Sequence, residues 1–192
     1  MKVLSVSSFK SVYPGNVAPF IKEQADALEK AGIEISWYLI QDSYFKCIFP
    51  YFKKIKNFQP DLVHAHYGLS GLLANLQRKV PVITTYHGCD INRRDLRLIS
   101  VFTILLSKFN VFVSSRQVAL VKPFLSDFEV IPCGINLSDF IHLTKSEARK
   151  KMGLDPDKRY VLFSSDFARP EKNASLAIEA CSYLENVELL EQ

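Results

Sequence analysis

Residues 60–90, PDLVHAHYGLSGLLANLQRKVPVITTYHGCD, decide the fold. Asp61 to Ala65 is a short β-rich run, with His64 and His66 at its end. From Gly68 to Gln77, Leu69, Leu72, Leu73 and Leu76 recur at intervals of three and four, which lays an apolar stripe along a helix. Pro81 stops that helix and opens Val82 to Tyr86, an almost wholly apolar or β-branched strand. A strand with no polar face is covered on both sides, as in parallel sheets. Just beyond its carboxyl end stand His87, Gly88, Cys89 and Asp90. Ligands of open parallel sheets bind outside the carboxyl ends of the strands, so His87 is the leading functional residue.

Working outward, Lys2 to Ser7 reads as a first strand and Ile33 to Ile40 as a second. Between them Asn16 is placed to cap a helix running to Ala31, and Pro19 falls in its first turn, where no helical hydrogen bond is lost. Downstream, Arg93, Arg94 and Arg97 open a helix with its body over residues 98–108. Phe109 to Ser114 is a strand, Ser115 to Lys122 a helix and Phe128 to Pro132 a further strand. Leu137 to Ser146 reads as a linker, and Ser146 as the cap of a short helix ending at Met152. Tyr160 to Ser165, Asn173 to Leu184 and Val187 to Leu190 then begin a second strand, helix and strand. The alternation implies an α/β fold: a doubly wound parallel, Rossmann-like sheet, with the first βαβ of a second Rossmann-like domain. The expected division is 1–151 and 152–192.

Composition narrows the function classes. A hydrophobic content of 48% suits a globular domain, and no run approaches the ~20 apolar residues of a membrane span. Met1 runs straight into the first strand without a leader pattern, which places the chain in the cytoplasm. Cys47, Cys89, Cys133 and Cys181 form no CxxC pair, so a zinc site or disulfide framework is not indicated. The net charge of +4 is uneven: residues 1–132 carry 16 basic and 10 acidic side chains, the rest 8 and 10. A basic front suits an anionic ligand or surface but is too weak to indicate nucleic acid.

Residues 44–58, YFKCIFPYFKKIKNF, mix six aromatics with four lysines. One reading is a helix begun by Pro50 whose aromatic face covers the sheet while the lysines are solvated. The other sets Lys46, Lys53, Lys54 and Lys56 on anionic lipid headgroups as a peripheral membrane contact.

Absent motifs exclude more classes. The first loop, SSFKSVYPGN, contains neither GxGxxG nor GxxxxGK[ST], and no GxSxG occurs, which removes the usual dinucleotide, P-loop and serine-hydrolase readings. His64 and His66 share a strand face and suggest a metal pair, but no third ligand is evident and no metal is assigned. Arg93, Arg94 and Arg97 adjoin the same edge and suit an acceptor's phosphate; a solvated helix start is the other reading.

Taken in order, the segments resemble the family 4 glycosyltransferases of the two-domain GT-B fold. They are the glycine-bearing loop Pro14-Gly15-Asn16, the helix end LEKAGIEI, PDLVHAHYG, VPVITTYHGCDIN, VFVSSRQVA, IPCGINLSDF and, at the opening of a donor-binding domain, YVLFSSDFARPEKN. The resemblance implies a retaining, metal-independent transferase without a cofactor, moving a sugar from a nucleotide-sugar to a glycan or lipid-linked acceptor in polysaccharide biosynthesis. It implies that His87 contacts the transferred sugar and that Asp90 shapes the catalytic site. Gly15, Gly88, Arg169 and Lys172 would then bind the donor, with Lys172 meeting the diphosphate. Many relatives carry an arginine five residues before that lysine, where this chain has Phe167. The acidic motif that grips sugar and ribose is expected beyond Gln192, so most of the donor site is expected outside these residues. The alternative is a truncated, non-catalytic fragment or interaction module that keeps acceptor binding and self-associates through its unfinished second sheet.

Overall fold

The β-rich runs of the sequence become six parallel strands. The computed structural model describes residues 1–8, 17–41 and 43–191, so Gly15 and the Asn16 cap lie outside the described residues. Strands β1 (Lys2–Ser8), β2 (Glu34–Ile40), β3 (Leu62–His66), β4 (Val82–Tyr86), β5 (Phe109–Phe112) and β6 (Phe128–Val130) form one sheet in the order β2-β1-β3-β4-β5-β6. Every neighbouring pair is parallel. Because the order reverses between β1 and β3, that junction is the switch point at which such sheets take ligands.

Helices α1 (Pro19–Lys30), α2 (Tyr44–Phe58), α3 (Gly68–Ala74), α4 (Cys89–Asn92), α5 (Arg94–Leu106) and α6 (Ser115–Val121) connect the strands. Leu4, Val6, Val63, Ala65 and Val82 form a core with Cys47 and Tyr51 of α2 and Leu73 and Ala74 of α3. A second core gathers Tyr86, Ile91, Ile104, Phe112 and Val121.

Two helices differ from expectation. Helix α2 begins at Tyr44 and contains Pro50 in its interior. Pro50 has no N–H to give the Lys46 carbonyl one turn back, and in the same turn Tyr38 donates its hydroxyl to the Cys47 carbonyl at 2.6 Å. Tyr51 is the fully buried aromatic of α2, and its hydroxyl donates to the Ala74 carbonyl at 3.0 Å.

In α3 only Leu73 of the leucine stripe is fully buried, and small residues make up the rest of the buried face. Gly68, Ser70, Gly71, Leu73 and Ala74 are buried, whereas Leu76 lies past the helix end and is 48% exposed. Glycines bring α3 against α5: a Cβ on Gly68 would collide with Ser100 Oγ, and one on Gly71 would stand 2.5 Å from Thr103 Cγ2. Hydroxyls seal that approach. Thr103 donates to the Gly68 carbonyl at 2.7 Å, and Thr84 and Ser107 share a hydrogen bond of 2.8 Å. Small residues therefore outcompete leucines where backbones approach closely.

The chain divides into two compact units, 1–136 and 137–192. In the second, β7 (Arg159–Phe163) and β8 (Val187–Glu191) pair in parallel and α8 (Ala174–Ser182) connects them. Helix α7 (Lys145–Met152) belongs to this unit, ahead of the expected boundary at Lys151, because Arg149 donates to the Lys158 carbonyl at 2.7 Å and faces the Tyr160 ring. Its cap is Thr144 rather than Ser146, since only Thr144 has a glutamate three residues on, and Glu147 completes a capping box.

Candidate active site

The carboxyl ends of β3 and β4 bring three histidines together. Alternation along β3 sends His64 and His66 to one face, beside Ser5 of β1. His64 Nε2 lies 2.8 Å from Thr85 Oγ1, and His66 Nδ1 lies 3.2 Å from His87 Nε2. The His66 and His87 rings stack with centroids 5.4 Å apart. Phe20 and Tyr67 close on His87, each with its ring centroid 4.8 Å away, and Cys133 Sγ lies 3.8 Å from His87 Nδ1.

Burial sets the charge state of this cluster. It pushes His87 down to about 3, with the neighbouring His64 adding to the effect, and pushes His64 down to about 4. His66, buried beside both, lies well below the usual imidazole value. All three rings are neutral at pH 7, so the turn after β4 carries a neutral imidazole, not a cation. Beneath helix α1 a cavity of about 10 Å³ adjoins Ser5, His64, His66 and Ile21, the space that one water needs.

The loop after β4 is shaped by Asp90. Its carboxylate accepts from the backbone N–H of Gly88 at 2.8 Å and from those of His87 and Gly68 at 3.3 Å each. Burial raises the Asp90 carboxyl, while those three N–H groups pull it back down. Asp90 thus spends its oxygens on the main chain and locks the start of α3 to the His87 turn. Gly88 turns the backbone at φ 124°, a conformation that side-chain-bearing residues rarely adopt. The Gln117 amide, oriented by its hydrogen bonds, donates to the Tyr86 carbonyl at 3.2 Å and accepts from Gly88 at 3.1 Å. Tyr67 also has a positive φ, 71°, which brings its ring against His87.

The expected arginines are deployed differently from one another. Arg93 is exposed and paired with Asp95 at 2.6 Å, which offsets positive charge at the start of α5. Arg97 donates to the carbonyls of Ile91 and Asn92 at 2.6 and 3.1 Å, closing the end of α4. Arg94 is exposed. In the second unit, Lys172 is exposed and ends the 3-10 turn Pro170–Lys172 ahead of α8, while Arg169 precedes that turn. Phe167 packs its ring on Phe163 at 5.2 Å and donates its N–H to Glu191 at 2.6 Å, so the residue standing in the arginine's place serves packing.

Sequence reasoning weighs His66 only as half of a metal pair, and passes over Phe20, Tyr67 and Cys133. The two-residue spacing of His64 and His66 is the visible signal. What it does not carry is the neighbour across the strand. Among the described residues no cluster of His, Cys, Asp or Glu is arranged to hold a metal ion.

Comparison with known proteins agrees with this architecture. TuaC of Bacillus subtilis (strain 168), a glycosyltransferase assigned to teichuronic acid biosynthesis, is 28% identical over 145 residues, covering 69% of this chain and 37% of TuaC. The chain therefore spans little more than a third of that relative's length. HepE of Anabaena, solved with UDP-glucose, superposes with a TM-score of 0.72 at 15% identity, over 100% of this chain and 60% of that one. Sucrose-phosphate synthase of Thermosynechococcus elongatus gives 0.69 at 15% identity, over 100% and 70%. At such identity the two structures establish the fold, Rossmann-like and α/β as expected. The sequence model described as Glycosyltransferase Family 4 matches residues 17–139, most of the chain. The chain belongs to glycosyltransferase family 4.

Proposed function

We propose that this chain forms the acceptor-side domain, and the opening of the donor-binding domain, of a glycosyltransferase. The enzyme moves a sugar from a nucleotide-sugar to a glycan or lipid-linked acceptor in surface polysaccharide assembly. The observation that carries this reading is His87, held neutral by burial at the end of β4 and gripped by His66, Phe20 and Tyr67. A neutral imidazole exchanges hydrogen bonds with sugar hydroxyls without placing a charge beside the reacting carbon. Asp90 is the positioning residue of that turn, and Gly88 supplies its backbone angle.

As the sugar leaves, negative charge grows on the diphosphate, and fixed donors that meet that charge lower the barrier. Lys172 is the donor on this chain, ahead of the amino end of α8, with Arg169 nearby. Arg94 is the exposed candidate for an acceptor phosphate, since Arg93 and Arg97 already have partners. The family resemblance supports retention and independence from metal. TuaC's assignment to teichuronic acid synthesis supports a polysaccharide acceptor. The lysines of α2 support work at the cytoplasmic surface of a membrane, where a lipid-linked acceptor is met.

A second reading is an interaction module without turnover. It is favoured by the two-stranded second sheet, over which Leu162, Leu176 and Ile178 stay exposed and available to another chain or copy.

The test is donor hydrolysis and transfer by this chain, given UDP-, GDP- and ADP-sugars and a lipid-extract acceptor. Turnover lost in His87→Ala supports the enzyme reading. Turnover unchanged in His87→Ala removes His87 from the site, and no turnover even when a complete donor-binding domain is appended favours the interaction module.

A further inference from the structure

Helix α2 does not turn its aromatics uniformly toward the sheet. Phe45, Phe49 and Phe52 are 84%, 86% and 40% exposed, whereas Tyr51 is fully buried. Spaced by four and three residues, the three phenylalanines fall on one stripe of the helix, opposite the face that packs on the core. Lys56 continues the stripe, and Lys46 and Lys53 flank it, all exposed. Lys54 lies on the far side, half-buried, with its Nζ 5.8 Å from the Phe58 ring centre. Helix α2 contains no acidic residue.

An exposed aromatic ridge rimmed by cations on one side of a fifteen-residue helix has a specific physical complement. Water does not favour three phenylalanines in a row, and a basic rim attracts an anionic surface. An interface with acyl chains beneath and negative headgroups above satisfies both parts together. No helix among the described residues is long and apolar enough to cross a membrane, so the contact is one that lies in the interface plane.

We infer that α2 docks this chain on an anionic lipid surface, with Phe45, Phe49 and Phe52 inserted at the headgroup boundary and Lys46, Lys53 and Lys56 on the headgroups. This deepens the proposed function, on which it rests, by naming the surface where its acceptor is met, and it assigns the insertion to phenylalanines rather than to charge alone. Lys54 is not part of the contact.

The experiment is co-sedimentation with vesicles of phosphatidylcholine alone or with phosphatidylglycerol, alongside a Phe49→Trp reporter in a Trp37→Phe background. Expected are binding to the anionic vesicles only, a blue-shifted emission of the reporter indole on binding, and its quenching by lipids brominated near the headgroup end of the acyl chain. Phe45→Ser with Phe49→Ser should weaken binding at least about tenfold, as should Lys53→Glu with Lys56→Glu, since each lysine at such a surface contributes roughly a fivefold factor. Phe102→Ser, an exposed phenylalanine of α5, should leave binding unchanged. Absence of vesicle binding, a reporter indole that stays in water on bound vesicles, or equal loss in Phe102→Ser overturns the inference. Transfer without vesicle binding would overturn only the docking surface, and vesicle binding without transfer, once a complete donor-binding domain is appended, only the enzyme reading.

Discussion

His66 Nδ1 stands 3.2 Å from His87 Nε2, and this contact couples the tautomers of the two rings. A neutral imidazole has one N–H, so one ring of the pair donates and the other accepts, and the remaining nitrogen of His87 is fixed as donor or acceptor. The protonation of His87 Nδ1, the nitrogen beside Cys133 Sγ, is therefore decided by His66, a residue farther inside.

Nitrogen NMR should show His87 as a single neutral tautomer at pH 7, and His66→Phe should turn it into a mixture. Mixed tautomers in the parent protein would remove His66 from this positioning role. In an active enzyme the same variant should lower kcat more than it raises KM, because it disorders the ring rather than deleting it.

Acid should destabilise the first unit. Between about pH 6.5 and 4 the unfolded chain protonates His64, His66 and His87 while the folded chain keeps them neutral. The unfolded state then holds more protons, so stability is full above about 6.5 and falls with pH, by up to about 1.4 kcal/mol per pH unit for each ring. The raised Asp90 carboxyl acts in the opposite sense, since its folded form holds the proton more tightly. Urea unfolding between pH 7.5 and 4.5 reads the balance, and a profile flat across that range would refute the buried neutral cluster.

Asp90→Asn should cost about 1–3 kcal/mol, because one amide oxygen replaces two carboxylate oxygens facing three N–H groups, and the new NH2 confronts donors. Hydrogen exchange at Gly68, His87 and Gly88 should speed up together. Exchange unchanged at all three would mean the turn holds without the carboxylate.

Gly71→Ala and Gly88→Ala should both destabilise, for different reasons. A Cβ at Gly71 meets Thr103 at 2.5 Å and Thr84 at 2.7 Å, an overpacking that costs roughly 1–3 kcal/mol. At Gly88 the nearest side-chain atom is 3.6 Å away, and the cost, again about 1–3 kcal/mol, comes from a φ of 124° alone. Denaturant unfolding of each variant is the measurement. A neutral Gly71→Ala would show that α3 and α5 have room to separate.

The strand runs were legible because apolar and β-branched residues without a polar face have few places to go other than the middle of a parallel sheet. Val82 to Tyr86 is the example, and the position of His87 just beyond the carboxyl end of that strand was legible with it. The leucines of α3 misled because period alone does not say which face an element buries. The close approach of α5 selected Gly68 and Gly71, and of the four leucines only Leu73 became fully buried while Leu76 stayed exposed past the helix end. Likewise the sequence showed that 44–58 was aromatic and basic, and the fold chose Tyr51 for the core and Phe45 and Phe49 for the outside.

By itself the sequence determined the order of strands and helices, the parallel sheet and the place of His87 after β4, because these depend on local periodicity, although α3 ends at Ala74, ahead of Pro81. Only the tertiary structure decided that His66 is the partner of His87, that Asp90 serves the backbone and that α2 presents a phenylalanine ridge. Each of these depends on neighbours brought in from elsewhere in the chain, 21 residues away for His66 and His87, and their register across strands is set by packing rather than by spacing.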